Sequence, residues 1–302
     1  MTTFKTTIKI FSFLVFVFAF ASIAQAQATR TWVSGVGDDV NPCSRTAPCK
    51  TFAGAISKTA VNGEINCLDP AGYGAVTVTK SITIDCEDTQ GSILSAGTNG
   101  VIVNITAATD TKKAFKLRGV SIQGAGTGIN GIRILAANSV HLDEVVIDGV
   151  TQHGVSIETT VGSPKVFVQD THIRSVTGNG INTFITGGGL TLVVGGSQLL
   201  GGNTGLNLSN NTAASITDSQ IAGNTTGLGV FNSSLAVRNC TISNNTTGVS
   251  ASTGGTVRLM GSMVTGNGTG LSIAGGSIIS HVSNVFAGNT VDGAPSSSLA
   301  LQ

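Results

Sequence analysis

Glycine, aliphatic and asparagine positions recur along the chain at intervals of 21 to 26 residues. Seven steps place a glycine before an aliphatic residue: Gly131-Ile132, Gly154-Val155, Gly180-Ile181, Gly205-Leu206, Gly227-Leu228, Gly248-Val249 and Gly270-Leu271. A second column is apolar and comprises Ile122, Ile147, Ile173, Leu199, Ile221, Ile242, Val264 and Phe286. A third column is polar and comprises Asn179, Asn203, Asn224, Asn245, Asn267 and Asn289. This self-similarity indicates a repeat architecture.

Each repeat is long enough for three short strands and three turns, but it leaves no room for a helix. Alternating stretches such as Leu235-Ala236-Val237 place every second side chain on one face. One coil cannot bury that face alone, so coils must stack, and crossovers between parallel strands are right-handed in nearly all cases. We therefore predict an all-β right-handed parallel β-helix of about ten coils, with an N-terminal cap helix. A leucine-rich repeat is the rival at this period, but the required L-x-x-L-x-L frame is absent.

The first 26 residues have the pattern of a cleavable signal peptide. Lys5 and Lys9 precede an apolar run over 10–21, and two A-x-A sites follow over 24–28. The apolar run is too short to span a bilayer comfortably, and no later run of 18 apolar residues exists. We expect cleavage after Ala26 and a secreted protein, extracellular, periplasmic or on the cell surface, without a membrane span.

The segment from Thr31 to Asp85 carries a more specific pattern. Its elements are 31–34 (TWVS), 37–39 (GDD), 48–52 (PCKTF), 63–65 (GEI) and 70–73 (PAGY). This segment resembles the opening of secreted pectate-lyase-like β-helix proteins, in which a strand and a short cap helix precede the first coil. The resemblance implies the fold and no single activity, because that superfamily contains lyases, hydrolases, epimerases, adhesins and non-enzymes.

The domain boundaries follow from these patterns. We expect a signal peptide over 1–26, a cap strand and helix over 27–64, the parallel β-helix over 65–290 and a flexible tail over 291–302. The cap helix would lie near Thr51–Thr59, with Phe52, Ala55 and Ile56 on one face. It would cover the open end of the solenoid, which is otherwise a sheet edge prone to aggregation.

Five cysteines are present, and export permits disulfide bonds. Cys43 and Cys49 would close a short loop, whereas Cys67 and Cys86 lie 19 residues apart, close to one coil. Pairing does not follow from the sequence alone. Our prediction is that Cys43–Cys49 and Cys67–Cys86 are bonded and that Cys240 is free.

The charge pattern argues against nucleic acid as a partner. Without Lys5 and Lys9, fourteen basic residues face fifteen acidic ones, a net charge of −1. From Ser175 to Gln302 only Asp218, Arg238, Arg258 and Asp292 are charged. Aligned coils place Asp148 beside Arg174 and Arg118 beside Asp143, as surface ion pairs.

No complete active site is visible in the sequence. Polygalacturonase-like hydrolases need paired aspartates, a His-Gly element and an R-I-K triplet, and only Gln152-His153-Gly154 resembles one of these. His153 is more simply a turn residue and His172 a surface residue. The aromatic side chains that could pack on sugars are Trp32 and Tyr73 near the cap and Phe167 at an outward position.

Glu144 and Asp170 occupy the same turn position on successive coils, with backbones about 4.8 Å apart. Two carboxylates that close disfavour joint ionisation unless a cation bridges them. Calcium is the candidate cofactor, with Asp143 and Asp148 as additional oxygen ligands. The alternative is that each acid accepts backbone N–H bonds within its own turn.

Two functions remain open. The first is a non-catalytic exported protein that presents a neutral, Ser/Thr/Asn-rich surface to a polysaccharide or cell-surface glycan. The second is a lyase or hydrolase that acts on a uronate-containing polysaccharide with an unusual site over 118–174. The composition favours the first.

Overall fold

Short strands with alternating burial build the whole molecule. In Lys165–Gln169, for example, Val166 and Val168 are fully buried while Lys165 is exposed. The computed structural model describes residues 27–160 and 162–300 of the 302-residue chain. It confirms the predicted right-handed parallel β-helix, with about eleven turns instead of about ten. The predicted signal peptide over 1–26 lies outside the described residues.

One α-helix, α1 (Phe52–Lys58), lies near the N-terminus. The strands, in chain order, are β1 (Ala28–Val33), β2 (Thr59–Cys67), β3 (Ala71–Gly72), β4 (Val76–Val78), β5 (Ile82–Asp85), β6 (Gly91–Leu94), β7 (Val101–Asn104), β8 (Ala114–Arg118), β9 (Val120–Gly128), β10 (Ile132–Ala136), β11 (Ser139–Asp143), β12 (Val146–Val150), β13 (Val155–Ile157), β14 (Lys165–Gln169), β15 (His172–Arg174), β16 (Ile181–Thr183), β17 (Leu190–Gly195), β18 (Gln198–Leu200), β19 (Thr204–Ser209), β20 (Thr212–Thr217), β21 (Gln220–Ala222), β22 (Thr226–Phe231), β23 (Ser234–Arg238), β24 (Thr241–Ser243), β25 (Thr247–Ser252), β26 (Thr256–Met260), β27 (Met263–Thr265), β28 (Thr269–Ala274), β29 (Ser277–His281), β30 (Val285–Phe286) and β31 (Ser297–Leu299).

Successive strands of each coil belong to three different parallel sheets. The twelve-stranded sheet has the order β1-β2-β5-β8-β11-β14-β17-β20-β23-β26-β29-β31. The ten-stranded sheet runs β3-β6-β9-β12-β15-β18-β21-β24-β27-β30, and the nine-stranded sheet runs β28-β25-β22-β19-β16-β13-β10-β7-β4. Each strand therefore pairs with its equivalent one coil away, as expected for a solenoid.

The two predicted apolar columns are in register throughout. Ile122, Ile147, Ile173, Leu199, Ile221, Ile242, Val264 and Phe286 pair in sequence on the ten-stranded sheet. On the nine-stranded sheet, Ile132, Val155, Ile181, Leu206, Leu228, Val249 and Leu271 do the same. Val168, Ile216, Val237 and Leu259 form a third inward column on the twelve-stranded sheet. These columns are the hydrophobic core of the molecule.

A left-handed turn follows the strands of the twelve-stranded sheet. Glu144, Asp170 and Asp218 have φ angles of 53°, 47° and 53° there. Asp and Asn tolerate this conformation better than most other L-residues. Gly196 in the same column has a φ of 57°, and an added Cβ there would lie 2.1 Å from Oδ1 of Asp170, so the Asp170 side chain would have to move.

The asparagine column forms a buried ladder in the C-terminal half. Asn224 Nδ2 donates to Asn245 Oδ1 at 3.1 Å, and Asn245 Nδ2 donates to Asn267 Oδ1 at 3.0 Å. Asn267 Nδ2 donates to Asn289 Oδ1 at 2.9 Å, and Asn289 Nδ2 donates to Asp292 Oδ1 at 2.8 Å. The N-x-[ST] triplets at Asn224 and Asn245 are thus structural ladder residues.

The N-terminal cap has the predicted helix. Thr51 Oγ1 accepts the backbone N–H of Gly54 at 2.9 Å, and Asp39 Oδ1 accepts the N–H groups of Lys50 and Thr51. Such side chains satisfy the free donors at a helix start. Phe52 and Ala55 are fully buried beneath the helix.

The two boundaries of the solenoid differ from those drawn on the sequence. Its strand β2 already begins at Thr59, before the expected start at 65. At the other end we expected a flexible tail over 291–302, but β31 pairs with β29 and extends the twelve-stranded sheet. The chain can return to the sheet because Gly293 adopts a left-handed turn and the N–H of Ser296 bonds to the carbonyl of Ile278 at 2.7 Å.

The structure contains the disulfides Cys43–Cys49 and Cys67–Cys86. Cys240 is a free, buried thiol, and burial raises its pKa to about 11. It takes a place in a serine column, because its N–H bonds to Ser262 Oγ at 3.2 Å just as Ser197 N–H bonds to Ser219 Oγ at 3.1 Å. No helix among the described residues has the length and apolarity to cross a membrane.

The register predicts a contrast between two neighbouring substitutions in β23. Val237→Asp would bury an unpaired charge in the core, where Val237 is 1% exposed, at a cost of several kcal/mol. Ala236→Asp, one residue earlier, would point outward beside Arg258 and should be tolerated. We expect the first variant to be insoluble or unfolded by circular dichroism and the second to melt like the unmodified protein. Cooperative melting of both would mean that the inward column is wrongly assigned.

Candidate groove on the twelve-stranded sheet

Three neighbouring strands place a distinct set of side chains on the outer face of the twelve-stranded sheet. Lys116 of β8 pairs with His141 of β11, and His141 pairs with Phe167 of β14. In-register parallel strands bring these side chains about 4.8 Å apart. The rings of His141 and Phe167 stack, with centroids 4.5 Å apart and an interplanar angle of 14°. Only the edges of the stack and its two outer faces are therefore free.

A shallow groove of about 280 Å³ lies along this face. Its polar lining is Asn62, Ser81, Thr83, Lys112, Lys116, Ser139 and His141, and no aspartate or glutamate lines it. The floor is the pleated sheet, and the loop over 105–113 that joins β7 to β8 contributes Lys112 to the lining. The position of Lys112 thus depends on how this loop is held.

Asp110 fixes the loop to the solenoid. Its carboxylate accepts the N–H and hydroxyl of Ser81 and the N–H of Lys113, the last at 3.0 Å, and the residue is 4% exposed. Burial raises the pKa of Asp110, but these hydrogen bonds outweigh that effect and hold it below its usual value. The anchored loop presents Lys112 to the groove.

The lysines near the groove form no salt bridge with a carboxylate, whereas most arginines of the N-terminal half do. Arg30, Arg118, Arg133 and Arg174 each form a salt bridge with a carboxylate. Among the described residues, no carboxylate lies within 4 Å of the ammonium groups of Lys112, Lys113, Lys116 or Lys165. The groove is therefore a local concentration of positive charge on a chain that is nearly neutral overall.

The predicted ion pairs are present, Arg118–Asp143 on the twelve-stranded sheet and Arg174–Asp148 on the ten-stranded sheet. Arg118 lies 3.5 Å from Asp143, as expected, and it also pairs with Asp85 at 3.1 Å and with Glu87. Burial lowers the pKa of Arg118, but the three carboxylates outweigh it and raise the pKa. Arg174 Nε bonds to Asp148 at 2.9 Å. Arg118 is a single positive charge among three carboxylates, so this cluster keeps a net charge of −2 and Asp143 is only partly neutralised.

Arg133 and Glu158 form a bidentate pair that the sequence analysis missed. Arg133 donates to Glu158 from Nε at 3.0 and 3.1 Å and from the terminal nitrogen at 2.7 Å, and Ser156 Oγ donates to the same carboxylate. Hydrogen bonds from Arg133 outweigh burial and lower the pKa of Glu158. The glycine-step alignment could have revealed it, because it sets Arg133 against Ser156, two residues before Glu158.

The histidines differ in their surroundings. His153 is a turn residue as predicted, with Nδ1 accepting the N–H of Asn179 at 3.0 Å, and burial lowers its pKa. His172 is exposed in an outward column with Gln198 and Gln220, also as predicted. Partial burial lowers the pKa of His141, Lys116 lowers it further, and Asp143 opposes both.

The aromatic residues named from the sequence lie in three different environments. Tyr73 is fully buried against Phe52, with ring centroids 5.1 Å apart, so it cannot contact a glycan. Trp32 lines a separate cleft of about 360 Å³ at the cap, together with Arg30 and Lys58. The charges of that cleft are already engaged, because Arg30 pairs with Glu64 and Lys58 donates to the carbonyl of Asn41 at 2.5 Å. Phe167 lies next to the groove lined by Lys112 and Lys116, hereafter the lysine groove, and its ring stacks on His141 of the lining.

The donors for the expected calcium site do not form a suitable set. Glu144 and Asp170 share the predicted turn position and both are exposed. The additional ligands Asp143 and Asp148 are paired with Arg118 and Arg174. Among the described residues, no three His, Cys, Asp or Glu side chains converge as metal ligands. Two carboxylates fall short of the six to eight oxygens that Ca²⁺ takes.

Comparison with known proteins agrees with this architecture. A family described as "right handed beta helix region" matches residues 99–291. The solved structure of pectate lyase Pel9A is similar, with 15% identity, a TM-score of 0.63, and 89% of this chain and 79% of that chain covered. The GH136 lacto-N-biosidase from Eubacterium ramulus has 10% identity, a TM-score of 0.50, and coverage of 90% and 67%. At these identities the likeness shows the fold alone, and no curated protein sequence matches significantly.

Removal of the Asp110 charge should loosen the loop that carries Lys112. We expect Asp110→Asn to lower the free energy of unfolding at pH 7 by about 1–3 kcal/mol, because buried N–H donors lose a charged acceptor. A carboxyl with a lowered pKa stabilises the fold above its unfolded value of 3.8, and this stabilisation is lost as the pH falls through the folded value. The difference between variant and parent should therefore shrink in acid. Urea unfolding at pH 7 and pH 3 measures it.

Asp88→Asn, at an exposed turn, is the matched control for that experiment and should unfold like the parent. Equal stability of Asp110→Asn and the parent at pH 7 would contradict the anchoring role.

The calcium hypothesis for Glu144 and Asp170 stays a prediction. Two exposed carboxylates predict only weak binding, with a dissociation constant on the order of 10⁻³ M. Isothermal titration with CaCl₂ should detect this weak binding in the parent and lose it in Glu144→Gln/Asp170→Asn. Absence of binding in the parent would end the idea, and binding unchanged in the double variant would locate the site elsewhere.

Proposed function

This chain belongs to the right-handed β-helix family, and on that premise we propose that it is an exported, non-catalytic protein that binds an acidic polysaccharide in the lysine groove. The two disulfide bonds fit an exported protein. Pectate lyase Pel9A is named for an anionic polysaccharide, which supports the class of ligand for this fold. The proposal otherwise depends on the groove itself.

The observation that carries the proposal is the unneutralised charge of Lys112 and Lys116. Surface lysines beside carboxylates lose much of their attraction for a ligand, but these two have no acidic partner among the described residues. Both line the same groove, on opposite sides of the start of β8. A ligand carboxylate or sulfate would form charge-assisted hydrogen bonds with them.

The stacked rings give the groove an apolar side. Phe167 is half-buried, and the outer face of its ring continues the column toward Val193. C–H groups of a sugar can pack against such apolar surface. The ring nitrogens of His141 have no hydrogen-bond partner among the described residues, so they can bond to ligand hydroxyls. Ser139 and Thr83 add hydroxyls at the rim.

The neutral C-terminal coils are a weaker candidate than the sequence suggested. Their outward side chains are mainly hydroxyls and amides, whose hydrogen bonds to a ligand replace equivalent bonds to water and contribute little net free energy. The lysine groove instead offers charge that the protein itself leaves unpaired. The binding face is therefore assigned to the N-terminal half of the twelve-stranded sheet.

Hydrolysis is disfavoured because glycosidases use two carboxylates that flank the scissile bond. The groove lining contains none, Asp110 is held by Ser81 and Lys113, and Asp143 is paired with Arg118. A lyase is the second candidate, favoured by one observation. The groove holds Lys116 beside His141, whose lowered pKa leaves it neutral at pH 7 and able to accept a proton.

Binding is tested by titration of the purified protein with oligogalacturonate, with neutral dextran as the comparison ligand. We expect Lys112→Gln/Lys116→Gln to weaken binding at least about tenfold, equivalent to about 1.4 kcal/mol. Lys50→Gln, an exposed lysine near the cap, is the matched control and should bind like the parent. The affinity should also fall with added salt, because exposed charges are screened.

Failure to prefer the acidic ligand over dextran, or equal affinity in the double variant, would refute the proposal. The lyase alternative is decided separately, by following unsaturated-product absorbance and reducing ends with and without Ca²⁺. Turnover of any acidic polysaccharide would establish an enzyme and end the non-catalytic assignment.

A further inference from the structure

We infer that His141 makes the lysine groove pH-dependent, so that acidic ligands bind more tightly in mildly acidic solution than at pH 8. This inference rests on the proposed function, since it concerns the regulation of the same groove. It is carried by the position of His141 between Lys116 and Phe167, on the floor of the groove.

Cationic side chains lie nearer to His141 along the groove than acidic ones, and the one acid that favours its protonated form is Asp143. From β8, Lys116 lies directly beside His141 in register, and Lys112 lies in the preceding loop. From β14, Phe167 covers one ring face of His141. Lys165 of the same strand pairs with Ser139, so it lies diagonally opposite His141. On β11 itself the nearest acid is Asp143, two residues away and bound to Arg118. From β5, only the uncharged Thr83 faces the groove.

An imidazolium at this position is therefore unfavourable in the free protein and favourable in the complex. Partial burial against Phe167 and the charge of Lys116 lower the pKa of His141 in the free protein. A bound polyanion would reverse the local sign of charge and raise that pKa. Protonation of His141 thus adds a positive charge at the point where the ligand's negative charge lies.

The direction of the effect follows from linkage. If the pKa of His141 is higher in the complex than in the free protein, binding takes up a proton. The ligand affinity then rises as the pH falls from the pKa of the complex to the pKa of the free protein, and it is constant at lower pH. Each unit of difference between the two pKa values corresponds to a tenfold change in affinity. We expect a rise of about 3- to 10-fold between pH 8 and pH 5, which is a pKa difference of up to about one unit.

The probe must keep its own charge constant across this range, and dextran sulfate oligosaccharides meet this requirement, because a sulfate monoester remains ionised from pH 5 to pH 8. Titrations at constant ionic strength would use the full mature protein, His141→Gln and His172→Gln. His172 is the matched control, since it is exposed on the ten-stranded sheet, away from the groove. The parent and His172→Gln should show the rise, whereas the affinity of His141→Gln should not change with pH. Thermal melting of each variant verifies that the fold is intact.

A second readout reports on the imidazole directly. In proton NMR titrations, the His141 ring signal should titrate below the ordinary pH range of histidine, and its midpoint should move to higher pH when dextran sulfate is added. Binding that is independent of pH in the parent, or a rise retained in His141→Gln, would overturn this inference while leaving the proposed function intact. Absence of binding at every pH would refute the proposed function and this inference together.

Discussion

The in-register pairing of each coil with the next is the constraint on which the rest of this structure depends. Parallel strands leave no freedom to shift by one residue, because such a shift would turn every inward side chain outward. The inward columns therefore set the register, and the outward columns follow from it without any further specification. Lys116, His141 and Phe167 come together because Leu117, Leu142 and Val168 are their inward neighbours in three consecutive coils.

The same constraint determines which charged side chains remain available to bind a ligand. Four acids of the N-terminal half lie one coil away from an arginine in the same outward column, so that stacking itself offsets their charge: Glu64 beside Arg30, Asp85 and Asp143 beside Arg118, and Asp148 beside Arg174. Exposed ion pairs of this kind contribute little to stability, but they offset charges that could otherwise attract a charged ligand. Lys116 escapes neutralisation because its neighbours in the adjacent coils are Thr83 and His141, whereas Lys112 lies in a loop outside the stacked columns.

Most of the fold could be predicted from the sequence, because the recurrence of Ile122, Ile147 and Ile173 reports directly on the spacing of coils. The ladder of Asn224, Asn245 and Asn267 and the turn at Asp170 follow from the same alignment. The ends could not be predicted as well, since they lack a repeat: β31 forms from a segment whose serines and Pro295 resemble a loop. The groove was only partly visible. Phe167 was noted as outward, but the position of Lys112 depends on Asp110, which reaches Ser81 across 29 residues of sequence.

The asparagine ladder has a consequence for how this molecule can vary in length. Every amide in it donates to the equivalent amide in the following coil, so the ladder has a direction, and Asp292 accepts the last bond. A whole coil inserted or deleted between Asn224 and Asn267 would leave each remaining amide donor with an acceptor. Insertion or deletion of a partial coil would leave one amide donor without an acceptor. Evolution can therefore lengthen or shorten this half only in whole coils of about 22 residues, each changing the axis by about 4.8 Å. These sparsely charged coils thus form a spacer of adjustable length between the groove and the C-terminal end of the solenoid.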